Sequence, residues 1–175
     1  MKVILAMVMS VDGKTTKWND SKIYEWTSKE DQNHFSSLVK NSRVIIMGRK
    51  TFVAAKSIIK LSPKQLRIIL TRNPEEYGNI SIAGQLEFTD DSPKEILKKL
   101  KARGYTQVLL AGGEHVNASF FKEHLINEAW LTVEPHIFGS GNNLVAEEKL
   151  NIKMQLKSIR RLNKNGTMLL KYLAI

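Results

Sequence analysis

Two stretches of the chain end an apolar run on glycine: Val44-Ile45-Ile46-Met47-Gly48-Arg49-Lys50-Thr51-Phe52 and Val108-Leu109-Leu110-Ala111-Gly112-Gly113. Each reads as a buried strand feeding a helix. Glycine at such a junction lets backbone approach a ligand closely. The helix that follows offers unpaired N–H groups and the positive end of its dipole. A phosphate is the natural guest. A third apolar run, Leu66–Leu70, ends on Thr71-Arg72 and offers a hydroxyl and a guanidinium at the same level. Arg49, Arg72 and Thr71 together suit a monoester phosphate, because guanidinium groups match phosphate oxygens in bidentate geometry. No acid is expected after these strands to grip a free ribose 2′-hydroxyl, so a 2′-phosphorylated dinucleotide fits better.

Asp31 is the second candidate for chemistry. Phe35, Leu38 and Val39 follow it at four, seven and eight positions, which places it on their apolar helix face. A carboxyl buried there has a raised pKa and suits hydrogen bonding to an amino-heterocycle or handling a proton. The opposing reading is a first-turn carboxylate facing water and complementing the helix dipole. His34, His115, His124 and His136 have no metal-ligand spacing, so no metal is expected. His115, just past Gly112-Gly113, is placed to face a phosphate. Gly139-Ser140-Gly141 lacks the full dinucleotide fingerprint and reads as a turn between strands. Without a G-x-S-x-G elbow, serine nucleophile chemistry has no support.

The elements that must position these residues alternate. Strands are expected at Lys2–Met9, Arg43–Met47, Leu66–Leu70 and Gln107–Ala111. Helices are expected from Ser28 (as N-cap) to about Lys40, from Thr51 to Lys60, from Ser92-Pro93 to the Gly104 cap, and after Gly113 with Val116, Phe120, Phe121 and Leu125 on one face. The remainder reads as strands Ala129–Ile137, Ile152–Arg161 and Thr167–Leu173, the last two joined by an Asn163-Lys164-Asn165-Gly166 hairpin. The expected fold is a three-layer α/β/α domain with a mostly parallel mixed sheet and an antiparallel C-terminal edge. One domain is expected over residues 1–175. Such a length buries enough core to need no staples, and the absence of cysteine excludes a disulfide framework, a thiol nucleophile and a cysteine zinc site. The longest apolar run, Val3 to Met9, is too short to span a bilayer and lacks a signal-peptide pattern, so a cytoplasmic location is expected. The net charge of +10 attracts anions. The lysines are scattered and no nucleic-acid motif appears, so the charge favours a phosphate-bearing small ligand over nucleic acid.

The Val44–Phe52 segment resembles the cofactor-binding segment of dihydrofolate reductases, and Gly112-Gly113 is similar to the pyrophosphate-binding turn of the same fold. Ser10-Val11-Asp12-Gly13-Lys14, and the stretch from Leu125-Ile126-Asn127-Glu128 through Pro135-His136-Ile137-Phe138-Gly139-Ser140-Gly141, resemble the reductase domain of the bifunctional riboflavin-biosynthesis deaminase–reductase (the RibD C-terminal domain). The two families share one fold, and together the matches cover essentially the whole chain. The resemblance implies NADPH-dependent hydride transfer to a pyrimidine- or pterin-type substrate, most specifically 5-amino-6-(5-phosphoribosylamino)uracil. The alternatives are a dihydrofolate reductase and a non-catalytic nucleotide- or nucleic-acid-binding protein of the same fold. It implies that Gly48, Arg49 and Thr51 contact cofactor phosphates, with Thr71 and Arg72 around the 2′-phosphate. Gly112, Gly113, Glu114, His115 and Val116 cradle the pyrophosphate, while Ala6, Val8 and the Thr15-Thr16 backbone line the nicotinamide. On the substrate side it implies Asp12, Lys14, Trp26 and Asp31, with Asp31 aligned to the pterin-binding acid. A homodimer is expected because related reductases commonly form one.

That side also departs from the riboflavin-pathway pattern. Leu110-Ala111 stands where a glutamate usually precedes the glycine pair. Val39-Lys40 stands where the first helix carries an arginine, and Leu61-Ser62-Pro63 replaces an Asp-Pro-x-Leu-x-x-Arg stretch. The proline–tryptophan pair of the mobile loop of dihydrofolate reductases is missing too, although Trp18 and Trp26 lie nearby.

Overall fold

Aliphatic, largely β-branched runs with no polar alternation make strands buried on both faces, which is the pattern of a parallel sheet covered on two sides. The computed structural model describes residues 1–20 and 22–175. It places strands β1 (Lys2–Ser10), β2 (Val44–Gly48), β3 (Leu66–Leu70), β4 (Leu86–Thr89), β5 (Gln107–Leu110), β6 (Glu128–Glu134), β7 (Met154–Arg161) and β8 (Met168–Ala174) in one sheet. The strand order is β4-β3-β2-β5-β1-β6-β8-β7. The helices are α1 (Lys29–Asn41), α2 (Arg49–Ala55), α3 (Pro93–Ala102) and α4 (Glu114–Lys122).

The helices cover both faces. Ile96 and Leu100 of α3 and Phe120 and Phe121 of α4 pack with Val3, Leu5, Val44, Ile46, Val108, Leu110, Ala129 and Leu131. Phe35, Leu38 and Val39 of α1 and Phe52 of α2 pack with Ala6, Ile45, Met47, Ile69 and Leu109 on the other face. Fully burying one such side chain is worth about 1.5–3 kcal/mol, so the alternation fixes which residues can reach each face. The fold is the expected α/β/α arrangement. Ser28 caps α1 by accepting the Asp31 N–H, and Ser92 and Glu95 form a reciprocal capping box on α3.

Four expectations need correction. β4 was not expected; it is short, half-buried and follows Gly84, so its apolar pattern is weak. β6 begins at Glu128 and pairs parallel with β1, so only β8 runs against its neighbours. Its early start is stabilised by Lys2 Nζ, 2.7 Å from the Glu128 carboxylate, and by Trp130 Nε1, which donates to that carboxylate at 2.7 Å. α2 ends at Ala55 instead of Lys60, because Ser57-Ile58-Ile59 are poor helix formers. Ile59 turns into the core while Ile58 stays exposed. α4 stops at Lys122, short of Leu125, which is reached through His124 at φ 54°. No helix among the described residues is long and apolar enough to cross a membrane.

Candidate active site

The two glycine junctions are neighbours. β2 and β5 pair in parallel through Ile45↔Leu109 and Ile46↔Leu110. The Ala111 N–H donates to Ile46 O at 2.8 Å, and the Gly48 N–H donates to Gly112 O at 2.8 Å. Both junctions therefore open at the carboxyl ends of adjacent strands. Gly48 is the N-cap of α2 and Gly113 that of α4, and neither end receives a side-chain cap. Close packing explains the glycines. A Cβ on Gly48 would stand 3.0 Å from Val116 Cγ2, and one on Gly113 3.2 Å from Thr51 Oγ1. Gly112 has φ +82°, and a Cβ there would meet Met7 Sδ at 2.6 Å. The Gly112–Gly113 peptide is cis.

The first turn of α4 divides its residues. The Glu114 carboxylate accepts the Asn143 N–H at 2.9 Å and so faces the loop after β6. The His115 side chain is 80% exposed, 3.9 Å from Glu114. Val116 is half-buried against Gly48. Asn117, which sequence reasoning missed, is fully buried; its Nδ2 donates to Leu144 O at 2.7 Å, and its Oδ1 has no partner among the described residues.

Thr71 and Arg72 line a cavity of about 210 Å³ at the end of β3. Arg49 is exposed at the start of α2. The unexpected strand β4, parallel to β3, ends in the same cavity and brings Asp90 and Asp91 with it. The acids beside the end of β3 thus come from β4, a strand outside the three considered in the sequence. Asp91 is engaged by Lys99 Nζ at 2.6 Å and by Thr89 Oγ1 at 2.7 Å, contacts that hold its pKa down. Asp90 is exposed.

Asp31 resolves in favour of burial. It is 6% exposed, on the α1 face turned to the sheet. Burial raises its pKa from 3.8 to about 6; the Thr132 hydroxyl hydrogen-bonds it and opposes that rise, and the charge of Glu134 adds to it. Register explains the company it keeps. Ala6, Val8 and Ser10 of β1 lie beside Trp130, Thr132 and Glu134 of β6 in parallel, so these side chains share one sheet face. Asp31 thus stands over the strand residues expected to line the nicotinamide. Met7, between Ala6 and Val8, meets Gly112 from the opposite face.

Trp26 is also buried, edge-on to Phe138 with ring centroids 5.0 Å apart, and its Nε1 has no partner among the described residues. His34, one turn after Asp31, stacks on Trp130 at 6.3 Å. Burial, then Lys171 and Arg160, lower its pKa and favour the neutral ring.

Asp12 and Lys14 have other employment. The Asp12 carboxylate accepts Ser10 Oγ–H at 2.6 Å, the Gly139 N–H at 2.8 Å and the Phe138 N–H at 3.1 Å. The Ser10 hydrogen bond leads the causes that hold its pKa at about 2. Lys14 Nζ donates to Asn143 Oδ1 at 2.7 Å. Both side chains clasp the β1–α1 connection to the loop after β6. Thr16 does the same, accepting the Asn142 N–H at 2.8 Å and donating to Trp18 O at 3.0 Å. Gly141, with φ +138°, is required there: a Cβ would come within 2.2 Å of Thr16 O. The Gly139–Gly141 turn is thus the seat of the loop that carries Thr15 and Thr16. No cluster of metal-binding side chains occurs among the described residues.

The chain belongs to the RibD C-terminal domain family, whose model matches residues 1–168. The Bacillus subtilis protein YwjB is 26% identical over 165 residues, covering 91% of each chain. YyaP of the same organism is 23% identical over 172 residues, covering 91% of this chain and 88% of the relative. Among solved structures, a putative riboflavin biosynthesis protein from Shewanella superposes with a TM-score of 0.80 at 18% identity, over 100% of this chain and 99% of that one. The Thermotoga maritima diaminohydroxyphosphoribosylaminopyrimidine deaminase/5-amino-6-(5-phosphoribosylamino)uracil reductase gives 0.77 at 18%, covering 99% of this chain and 56% of that chain. An Enterococcus faecalis dihydrofolate reductase complexed with NADP(H) gives 0.69 at 17%, over 99% and 96%. The fold is therefore the one shared by RibD reductase domains and dihydrofolate reductases.

Proposed function

We propose that the chain is an NADPH-dependent reductase acting on a pyrimidine- or pterin-type substrate, most specifically 5-amino-6-(5-phosphoribosylamino)uracil. The observation that carries this reading is the convergence, along the carboxyl ends of β2, β5, β1 and β6, of a side-chain-free helix start and a buried carboxyl. The start of α4, whose first amides receive no side-chain cap, fits a dinucleotide phosphate. The first turn of α4 receives the pyrophosphate, with Thr51 beside it. Arg49, Arg72 and Thr71 receive the 2′-phosphate. The β1 residues Ala6 and Val8 and the Thr15-Thr16 backbone form the wall against which the nicotinamide ring lies.

The bound cofactor supplies a hydride; the protein orients the ring, excludes water and handles the accompanying proton. Asp31 is the group for that proton. Its carboxyl is protonated below about pH 6, and it is held by Thr132 over the same sheet face as Ala6 and Val8. Protonated, it donates to a ring nitrogen or to the heteroatom of the bond being reduced; ionised, it accepts from an exocyclic amino group. Trp26, whose buried Nε1 has no partner among the described residues, lies on the substrate side of this reading.

A dihydrofolate substrate is the second reading, and the buried Asp31–Thr132 pair favours it. Following absorbance at 340 nm with each substrate in turn separates the two. Oxidation of NADPH with the phosphoribosylaminouracil supports the first reading, and oxidation with dihydrofolate alone supports the second. Turnover of neither, together with no NADPH binding, refutes both and leaves a non-catalytic protein of this fold. We also propose that the chain acts as one domain, as a homodimer and in the cytoplasm, with a small-molecule partner instead of nucleic acid.

A further inference from the structure

Glu134 is the most deeply buried carboxylate near Asp31, and nothing in the proposed chemistry uses it. It is 2% exposed at the end of β6. One oxygen accepts the Ser28 N–H at 2.8 Å and the Ser28 Oγ–H at 2.7 Å. The other accepts the Thr167 Oγ–H at 2.6 Å. Thr167 is itself fully buried, and its Oγ accepts Asn163 Nδ2 at 2.9 Å. Ser28 in turn accepts the Asp31 N–H at 3.2 Å as N-cap of α1. A continuous set of hydrogen bonds therefore runs from the β7–β8 hairpin through Glu134 and Ser28 to the Asp31 backbone. No cation is paired with Glu134 among the described residues, although the strand end lies in an otherwise basic protein.

A serine N-cap on a helix such as α1 needs no carboxylate under it; an apolar residue would fill the space at lower desolvation cost. We infer that Glu134 is a positioning residue for Asp31: it clamps the first turn of α1 to β6 so that the Asp31 carboxyl meets Thr132, with the Glu134 carboxyl on the same strand face. This inference rests on the reading of Asp31 as the proton-handling group. Glu134 accepts three hydrogen bonds from neutral groups, while Asp31 lies beside Thr132, where burial raises its pKa. The remaining titratable groups around α1 lie elsewhere. Glu30 faces Asn163, His34 faces Trp130, Lys171 and Arg160 act on His34, and His136 packs on Phe138.

The test compares wild type with Glu134→Gln and Ser28→Ala by carboxyl carbon NMR titration of Asp31, by NADPH affinity and by the pH profile of kcat. Glu134→Gln keeps an acceptor for Ser28 and removes the charge. The inference expects Asp31 to titrate at lower pH, with the alkaline limb of kcat moving down with it and NADPH affinity within twofold of wild type. Ser28→Ala, which removes one donor to Glu134, is expected to lower kcat several-fold by loosening the clamp that holds Asp31 against Thr132. An unmoved Asp31 titration in Glu134→Gln, or loss of NADPH affinity parallel to that of kcat, overturns the inference. If Glu134→Gln fails to fold, Ser28→Ala decides alone: unchanged kcat overturns the inference. A wild type without reductase activity refutes the proposed function, and the NMR titration still reads the coupling of Glu134 to Asp31.

Discussion

Asp31→Asn is expected to make the protein more stable at neutral pH while slowing it as an enzyme. The carboxyl has a folded-state pKa of about 6 against 3.8 for the free group. The folded state therefore binds more protons than the unfolded state between those two values, and stability falls as pH rises through that window. Above it the ionised, buried carboxylate costs the fold ~3 kcal/mol, from ~1.4 kcal/mol per tenfold difference in proton affinity. Asparagine removes the ionisation. It retains an oxygen for Thr132, with a loss of about 1 kcal/mol for the weaker hydrogen bond. The net expectation is a gain of about 2 kcal/mol at pH 7.5, seen as a rise of roughly 4–8 °C in Tm for a chain of this size. Near pH 4 the gain vanishes or becomes a small loss. Differential scanning calorimetry of both proteins from pH 4 to 8 measures this. Equal or lower stability of the variant across the whole range would refute the claim that Asp31 is buried and strained in its charged form. The same variant is expected to lose turnover with NADPH affinity nearly intact, because Asp31 lies on the substrate side.

Arg72→Ala or Arg49→Ala is expected to weaken NADPH by about 1–3 kcal/mol and NADH little, by calorimetry; equal losses would remove these arginines from the 2′-phosphate. Asp90→Asn is expected to strengthen NADPH binding several-fold relative to NADH, because the carboxylate lines the same cavity as Arg72. Gly112→Ala is expected to cost about 2–4 kcal/mol of stability, combining a positive φ with the clash on Met7, in urea denaturation. Glu128→Ala is expected to cost about 3 kcal/mol, since burial opposes the charge but Lys2, Trp130 and Lys157 together hold its pKa at about 2.

The parallel core was legible because period and composition agree: the Val44–Met47, Leu66–Leu70 and Gln107–Leu110 runs have no competing helical pattern. Asp31 was legible as a conflict, a carboxyl on an apolar face, although the sequence left its burial open. β4 was not, because only tertiary pairing with β3 makes a strand of Leu86–Thr89, and Asp90 and Asp91 reached the cavity with it. Glu134 and Asn117 were invisible for a similar reason. Their partners, Ser28 and Thr167 for one and Leu144 for the other, are 27 to 106 residues away. The clasp that Asp12 and Lys14 form with the loop after β6 was not legible either, because their partners Phe138, Gly139 and Asn143 are more than a hundred residues away.

The most direct measurement is a crystal structure of the protein soaked with NADPH. The account predicts the pyrophosphate at the amides of Glu114–Val116, the 2′-phosphate between Arg49 and Arg72, and the nicotinamide against Ala6 and Val8 facing Asp31. A dinucleotide bound instead at the opposite end of the sheet, in the cavity lined by Lys98, Lys101 and His124, or no bound dinucleotide at saturating concentration, would contradict it.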